Sequence, residues 1–228
     1  MKLSPDQYIL FDWGWGRLNG TICFTWLIIV LLAGTARLIT RNLSTSATMS
    51  NRQNLVEVIV SFINTHIRET IHRDPAPLLP FVGTLFLFIF VANVLAIIPF
   101  YMPPTASLST TTALALCVFL AVPFFGLSSR SLKSYLSDYI KPTIFMFPFN
   151  ILGEISRTFA LAVRLYGNMM SGSVLGLVIL SVIPFIFPVL LQLLGLLTGV
   201  IQAYIFAILA MVYIAAAFEK EGKKEKKK

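Results

Sequence analysis

Five stretches of the chain are apolar and about long enough for a helix to cross the hydrocarbon core of a membrane. They are residues 18–39, 81–102, 110–127, 143–182 and 189–218. A helix needs about 20 mainly apolar residues for this crossing, and it satisfies its backbone hydrogen bonds internally. Only 12% of the 228 residues are charged, whereas soluble domains have about 25%. These features predict one integral membrane domain, residues 1–228, that is all-α and has about five transmembrane helices.

A further helix is predicted between the first two spans. In residues 54–73, apolar side chains recur at helical spacing, for example at Val56, Ile59, Ile63 and Ile67. Polar and charged residues occupy much of the other side. This pattern is typical of an amphipathic, interfacial helix that lies on a membrane surface or on a partner. Three prolines, at positions 75, 77 and 80, are expected to end it.

The last two apolar stretches are longer than a perpendicular span requires. The segment IPFIFP, residues 183–188, separates them. Helices that exceed the bilayer thickness tilt or project beyond it. We therefore predict that residues 143–182 and 189–218 form a hairpin of two long, strongly tilted helices.

Basic residues are concentrated on one predicted side of the membrane. Residues 37–80, residues 127–142 and the tail 219–228 contain five, three and six Lys or Arg, whereas the two opposite connections contain none. Because cytoplasmic loops carry an excess of basic residues, this predicts an outside N-terminal segment, residues 1–17, and a cytoplasmic tail. We interpret the net charge of +8 as a topology signal and expect no nucleic-acid partner.

The two cysteines, Cys23 and Cys117, lie in separate apolar stretches without the spacing of a metal site. We predict that both thiols are buried, and we expect no metal or cofactor. No Gly-rich phosphate loop with its lysine occurs, so nucleotide chemistry is not expected in this chain. The N-terminal segment, with Pro5, Asp6 and Asp12, does not resemble a cleavable signal peptide.

Arg164, within LAVRLYGNMM, is the most unusual residue of the apolar stretches. Arginine keeps its charge in proteins, and a charge near the bilayer centre costs at least about 2.5 kcal/mol. In a helix, Arg157, Asn168 and Ser171 fall on the same side as Arg164, and Glu154 is only slightly rotated from it. Glu154 lies about 15 Å away along the helix axis, which argues against a direct pair. The structural alternative is that Arg164 holds the bundle together by binding carbonyl groups or Glu154.

The last stretch contributes a second polar position, Gln202, with Gly195, Thr198 and Tyr213 on its side of the helix. Small residues on both helices allow another helix to approach closely. We interpret the two faces as the contact for a second protein that carries the missing carboxylate. If acids on a moving partner pass Arg164 in turn, its charge favours their ionised form and separates two ion pathways.

Four segments resemble subunit a of the F-type rotary ATP synthases: GEISR, RLYGNMMSG, TGVIQAYIFAILAMVYI and VANVLAIIP. The resemblance extends over about residues 54–218. It implies that Arg164 is the essential stator arginine that faces a ring of c subunits, with Asn168 and Gln202 as its polar neighbours. By the same resemblance, Glu154 lines the half-channel on the cytoplasmic side, and Asn93 belongs to a polar second span.

The chain departs from the family pattern at three positions. Ser173 and Gly195 stand where many members have an ionisable pair, and Ala96 replaces a frequent aspartate. The outer half-channel is therefore expected to use water, amides and hydroxyl groups, including those of Ser173 and Tyr213.

The resemblance implies a non-catalytic stator subunit that conducts protons or sodium ions between solvent and the rotating c ring. Its expected partners are the c ring, the b-subunit peripheral stalk, the other ATP synthase subunits and the lipid bilayer. Its expected location is the plasma (inner) membrane of a bacterium. The main alternative is a self-contained secondary ion transporter, which predicts inverted repeats and its own midplane carboxylate. A purely structural anchor is a second alternative, and it leaves the Arg164 face unexplained.

Overall fold

A computed structural model describes residues 9–12, 17–41, 51–71, 77–98, 101–128, 146–182 and 187–225. These residues form six α-helices: α1 (Gly20–Thr40), α2 (Asn51–Ile71), α3 (Leu79–Val94), α4 (Leu108–Ser128), α5 (Met146–Val182) and α6 (Phe187–Glu225). Short 3-10 turns, Leu95–Ile97 and Pro104–Ala106, lie between α3 and α4. The prediction of an all-α membrane protein is confirmed.

Four helical segments of the described chain are long and apolar enough to cross a membrane. They are Gly20–Thr40, Leu79–Ile97, Leu108–Leu127 and Val189–Ala216. Helix α5 is not among them, although it has 37 residues, and it contains Glu154, Arg157 and Arg164. It packs against α4 and α6. That α5 crosses the membrane, and that α5 and α6 are tilted, stay predictions.

Two ends of α3 differ from the sequence prediction. The second span ends at Ile97 instead of residue 102, and Ile98 is extended, with φ −73° and ψ 123°. Helical backbone is disfavoured in the residue before a proline, and Pro99 follows Ile98. Pro80, expected to end the preceding helix, lies instead in the first turn of α3. A proline there costs no helical hydrogen bond, because the first N–H groups have no partner within the helix.

Helix α6 continues to Glu225, beyond its predicted end at residue 218. Glutamate and lysine, which are good helix formers, dominate residues 219–225. Most of the predicted cytoplasmic tail is therefore helical. Most of the polar loop before α5, and residues 183–186 before α6, lie outside the described residues. The predicted membrane orientation stays a prediction.

Helix α6 lies at the centre of the bundle, since α2, α3, α4 and α5 all pack against it. One buried apolar cluster joins α3, α4, α5 and α6, and its members include Ile89, Leu161, Leu165 and Phe206. This cluster holds the two long helices, α5 and α6, against each other.

The predicted amphipathic helix is confirmed as α2, which begins at residue 51 instead of 54. Ile63 and Ile67 are buried in a second cluster together with Val82 of α3 and Ile214 of α6. Glu57, on another side of the helix, is exposed. The partner on which α2 lies is thus the helical bundle of its own chain.

A short β-hairpin precedes α1 and was not anticipated from the sequence. Strand β1 (Ile9–Asp12) pairs antiparallel with β2 (Arg17–Asn19), with an irregular register between Ile9 and Phe11. It is the one sheet in the described residues. Its two strands are too short to change the all-α character of the domain.

The prediction that both cysteine thiols are buried is wrong, since Cys23 and Cys117 are exposed on the bundle surface. Helix α1, which carries Cys23, buries only Gly20, Thr21 and Ile28 among its described side chains. A membrane helix presents apolar residues to lipid as readily as to protein. An apolar sequence therefore does not identify the packed side of such a helix.

Candidate functional site

Arg164 lies at the middle of α5, eighteen residues from either end of the helix. Its side chain is exposed, and within the described residues no ion pair or hydrogen bond holds its guanidinium. The neighbouring side chains of Leu161 and Leu165 are buried in the bundle, so helical geometry turns residue 164 outward. The described residues give no support to the alternative in which Arg164 holds the bundle together by binding groups of its own chain.

The exposed surface around Arg164 is mainly apolar, with Ser171 as an exposed polar residue on the same side of α5. The large exposed apolar side chains described on α5 and α6 are Phe147, Phe149, Leu152, Ile155, Phe159, Val163, Val174, Leu175, Val178, Val189, Leu190, Leu193, Leu194, Leu197, Ile201 and Val212. Those of α6 up to Ile201 recur every three or four residues and form one stripe. A Cβ built on Gly172 or Gly176 would meet nothing within 4 Å in the described chain. The close helix approach expected at these glycines is therefore not made by any part of the chain that the structure describes.

Helices α5 and α6 run antiparallel, and one contact indicates their register. The guanidinium carbon of Arg157 lies 5.7 Å from the ring centre of Tyr213, within the range of a cation–π interaction. Asn168 is eleven residues after Arg157, and Gln202 is eleven residues before Tyr213. Because antiparallel helices advance equally per residue, Asn168 and Gln202 lie at about the same height, one helical turn from Arg164.

The two amide side chains at this height have different environments. Gln202 is 7% exposed, and its Nε2 group has no hydrogen-bond acceptor among the described residues. Asn168 is half-buried, and its backbone carbonyl accepts a hydrogen bond from Ser171 Oγ at 3.2 Å. A buried N–H group without an acceptor is costly. A water molecule or a polar group of another chain can supply the acceptor that Gln202 lacks.

The other predicted residues of the hairpin fall on opposite sides of Arg164 along α5. Glu154, which is half-buried, and Tyr213 lie towards the N-terminal end of α5. Ser173 lies towards the C-terminal end and is exposed, and its Oγ donates a hydrogen bond to the carbonyl oxygen of Met169 at 2.9 Å. About 24 Å of helix separates Ser173 from the height of Tyr213. The structure therefore does not bring Ser173 and Tyr213 together.

Asn93, the polar residue expected in the second span, is 1% exposed at the end of α3. Its Nδ2 donates a hydrogen bond to the carbonyl oxygen of Gly199 on α6 at 2.8 Å, and its Oδ1 accepts one from Thr105 Oγ1 at 2.9 Å. Sequence reasoning missed both Thr105 and Gly199. They lie in PPTAS and LLTGV, where the pattern indicates a turn and a small residue but specifies no partner.

Charged groups elsewhere in the described chain do not complete the site. On α2, His66 Nδ1 lies 3.5 Å from Glu69 Oε2. No group of three or more His, Cys, Asp or Glu residues comes together in the described part of the chain as a metal site would require. The site is an exposed cation beside two amides, an arrangement that can bind an anionic group supplied by another chain.

Comparison with known proteins identifies the family of this chain. Residues 22–215 match the family model described as ATP synthase A chain. The chain is 55% identical over 217 residues to ATP synthase subunit a of Albidiferax ferrireducens, which covers 95% of this chain and 94% of the relative. It is 54% identical over 222 residues to ATP synthase subunit a of Nitrosospira multiformis, with coverage of 97% and 88%. It is 56% identical over 217 residues to ATP synthase subunit a 2 of Acaryochloris marina, with coverage of 95% and 93%. These matches confirm the resemblance found in the four sequence segments, and the chain belongs to the ATP synthase A chain family, that of ATP synthase subunit a.

Proposed function

We propose that this chain is the ion-conducting stator subunit of the membrane sector, which passes protons or sodium ions between solvent and a rotating ring of c subunits. The observation that carries the proposal is the exposed guanidinium of Arg164, at the middle of α5 and without an ion-pair partner in the described residues. An unpaired charge on an apolar membrane surface is costly and is functional by default. A carboxylate brought by a partner would offset this cost.

Arg164 has two roles in this proposal. Its positive charge favours the ionised form of each carboxylate that the ring brings opposite it, so the ion is released there. The same charge makes passage of a cation across its position unfavourable, so it separates two half-channels. Glu154 and Tyr213 lie on one side of Arg164 along α5, and Ser173 lies on the other. This division fits one half-channel on each side.

Asn168 and Gln202 lie close in height to Arg164, where an ion leaves or joins the ring. Their amides carry no net charge and offer both donors and acceptors. The unpaired Nε2 of the buried Gln202 favours bound water beside the arginine. A Cβ built on Gly195 would meet nothing within 4 Å in the described chain, so α6 leaves space for water towards the Ser173 side.

The chain is proposed to have no catalytic activity of its own and to act with other ATP synthase subunits. The c ring would cover the apolar surface around Arg164, and the b-subunit peripheral stalk would hold the chain against rotation. The proposed location is the bacterial plasma membrane, with the N-terminal segment outside and the tail in the cytoplasm. This orientation would place the basic segments on the cytoplasmic side.

A self-contained secondary transporter is less well supported. Such a protein binds its ion within one chain, beside its own carboxylate. Glu154 is the only carboxylate between residues 146 and 218, and about 15 Å of helix separates it from Arg164. The outward direction of Arg164 instead favours a carboxylate on a second protein.

A photo-crosslinking amino acid at Leu175 tests the proposed contact with the ring. Leu175 is 53% exposed on α5, so we expect the probe to form a covalent product with the c subunit in the assembled complex. Trp26 on α1 provides the matched control, because its side chain is similarly exposed, at 64%. Helix α1 packs against α2, α3 and the 3-10 turn Pro104–Ala106. A c-subunit product from position 26 but none from position 175 would contradict the proposed placement of the ring.

Replacement of Glu154 by glutamine is expected to slow ion flux without stopping it. Bridging water can take over much of a hydrogen-bonded path when a carboxylate is lost, so we expect a reduction of about threefold to tenfold in ATP-driven acidification of inverted vesicles. Glu57→Gln on α2 is the control, since Glu57 is exposed outside the hairpin. Wild-type flux in Glu154→Gln at every pH tested would assign Glu154 a packing role.

A further inference from the structure

Outside the Arg164 surface, a buried polar junction of Thr105, Asn93 and Gly199 joins α3 to α6 and to the 3-10 turn before α4. All three are buried, and the two hydrogen bonds that join them measure 2.9 and 2.8 Å. Both ends of the Asn93 amide are therefore engaged within the protein. The N–H group and the carbonyl lone pair that these bonds leave over belong to a side chain that is 1% exposed, which favours a structural role over contact with a passing ion.

Gly199 allows the closest approach between α3 and α6 in the junction. A Cβ built on Gly199 would lie 3.0 Å from Asn93 Cβ and 3.3 Å from its Cγ and Nδ2. A side chain at this position would require Asn93 or one of the two helices to shift, since 3.0 Å is tighter than an ordinary contact between carbon atoms. The absence of a side chain thus lets the Asn93 amide reach the helix backbone itself, so the hydrogen bond fixes α6 by its main chain.

Gly199 is three residues before Gln202, which is less than one turn of α6, about 4.5 Å along its axis. The buried Nε2 of Gln202 has no acceptor in the described chain. No hydrogen bond from this group therefore fixes the direction of the Gln202 side chain. Its position depends on the height and rotation of the α6 backbone, which the bond from Asn93 to Gly199 restrains.

Thr105 extends the junction to the other functional helix. It lies in the buried 3-10 turn Pro104–Ala106, and this turn packs against α5, which carries Arg164 and Asn168. Backbone hydrogen bonds from Ala106 N to Pro103 O and from Ser107 N to Pro104 O hold the turn in shape. The junction therefore connects the backbone of α6, through Asn93, to a rigid turn that rests on α5.

We propose that Thr105, Asn93 and Gly199 are positioning residues for ion translocation, which hold α6 against α3 and α5 so that Gln202 faces Asn168. Asn93 in this assignment orients the site and does not itself bind the ion. The effect on ion flux rests on the proposed function of the chain. The packing of the junction stands on the hydrogen bonds and contacts alone.

Removal of the Thr105 hydroxyl provides the test with the smallest change in shape. In Thr105→Val, Asn93 Oδ1 loses its donor, and a buried acceptor left unpaired is destabilising. We expect ATP-driven acidification of inverted vesicles, normalised to the amount of assembled complex, to fall about fivefold, as for the loss of one buried hydrogen bond. Thr105→Ser retains the donor and is expected to restore most of the rate.

Two comparisons separate a positioning role from general damage to the fold. Thr105→Val should have no additional effect in an Asn93→Leu background, because the acceptor of its hydroxyl is already absent. Gln192→Leu is the control within the same helix pair, since Gln192 Nε2 donates to the carbonyl oxygen of Ile97 at 3.2 Å in an exposed position. We expect this control to pump at the wild-type rate per complex.

Each other outcome would overturn the proposal. A wild-type rate per complex in Thr105→Val, or additive losses in the double variant, would show that the three residues do not act as a unit. Failure of both Thr105→Val and Thr105→Ala to assemble would make the junction a requirement for folding instead of positioning. Arg164→Ala in the same assay tests the proposed function independently. If Arg164→Ala stops pumping and Thr105→Val leaves the pumping rate unchanged, only the junction proposal fails.

Discussion

Replacement of Arg164 by alanine is expected to lower ATP-driven acidification of inverted membrane vesicles by about 100-fold or more. Loss of one preorganised group that stabilises a developing charge typically has an effect of this size. In the proposed mechanism, loss of the guanidinium removes the charge that favours the ionised carboxylate of the ring and that opposes direct passage between the half-channels. Assembly should be preserved, because Arg164 is exposed and makes no ion pair in the described residues.

Arg164→Lys refines this prediction. Lysine also carries a positive charge, but it loses its proton when it is desolvated, and it lacks the planar, two-pronged guanidinium. We therefore expect little or no coupled transport from the lysine variant as well. Arg37→Ala, which removes an exposed cation from the last turn of α1, is the control for a simple change in charge. Vesicles with Arg164→Ala that acidify at the wild-type rate would contradict the barrier role.

Replacement of Gly199 by valine is expected to reduce the amount of assembled complex about tenfold or more, since the overpacking it causes typically costs 1–3 kcal/mol. The first added carbon would lie 3.0 Å from Asn93 Cβ, and this atom is attached directly to the backbone of α3 and cannot rotate away. Separation of the helices would also break the 2.8 Å hydrogen bond from Asn93 Nδ2. A buried donor would then be left unpaired, which is a further cost.

The measurement is the quantity of this chain in the membrane and in the intact complex on native gels. Gly195→Val is the matched control, because it places the same side chain one turn earlier on α6, where a Cβ would meet nothing within 4 Å in the described chain. We expect the control to assemble normally. Equal amounts of complex from Gly199→Val and Gly195→Val would show that the approach of α3 to α6 does not limit assembly.

Most of the helices could be predicted from the sequence because a membrane allows few alternatives. Backbone groups in hydrocarbon must form hydrogen bonds within their own helix, so the apolar stretches locate α1, α3, α4 and α6 directly. The errors in the predicted helix bounds are at the helix ends, because the residues next to each end decide where the helix stops. Pro99 ends the helical backbone before it, and a run of good helix formers extends α6 to Glu225.

The candidate site could be predicted in kind but not in arrangement. The position of Arg164, deep within a long apolar stretch, marks it in the sequence, and helical counting places Asn168 on its face. Counting along one helix does not show how two helices are placed against each other. Only packing shows that Gln202 is buried while Arg164 is exposed, and that Tyr213 contacts Arg157 instead of approaching Ser173.

The amino-acid sequence by itself determined that this chain forms membrane helices, that Arg164 lies deep within one long apolar stretch, and that the chain belongs with the ATP synthase A chains. The tertiary structure alone decided which side of each helix is packed and which pairs of polar residues meet. The physical reason is that lipid and protein interior are both apolar, so hydrophobicity does not separate an exposed Cys117 from a buried Ala115. The hydrogen bonds from Thr105 to Asn93 and from Asn93 to Gly199 join residues that are distant in sequence. The second of these bonds is possible because Gly199 has no side chain where α6 approaches Asn93.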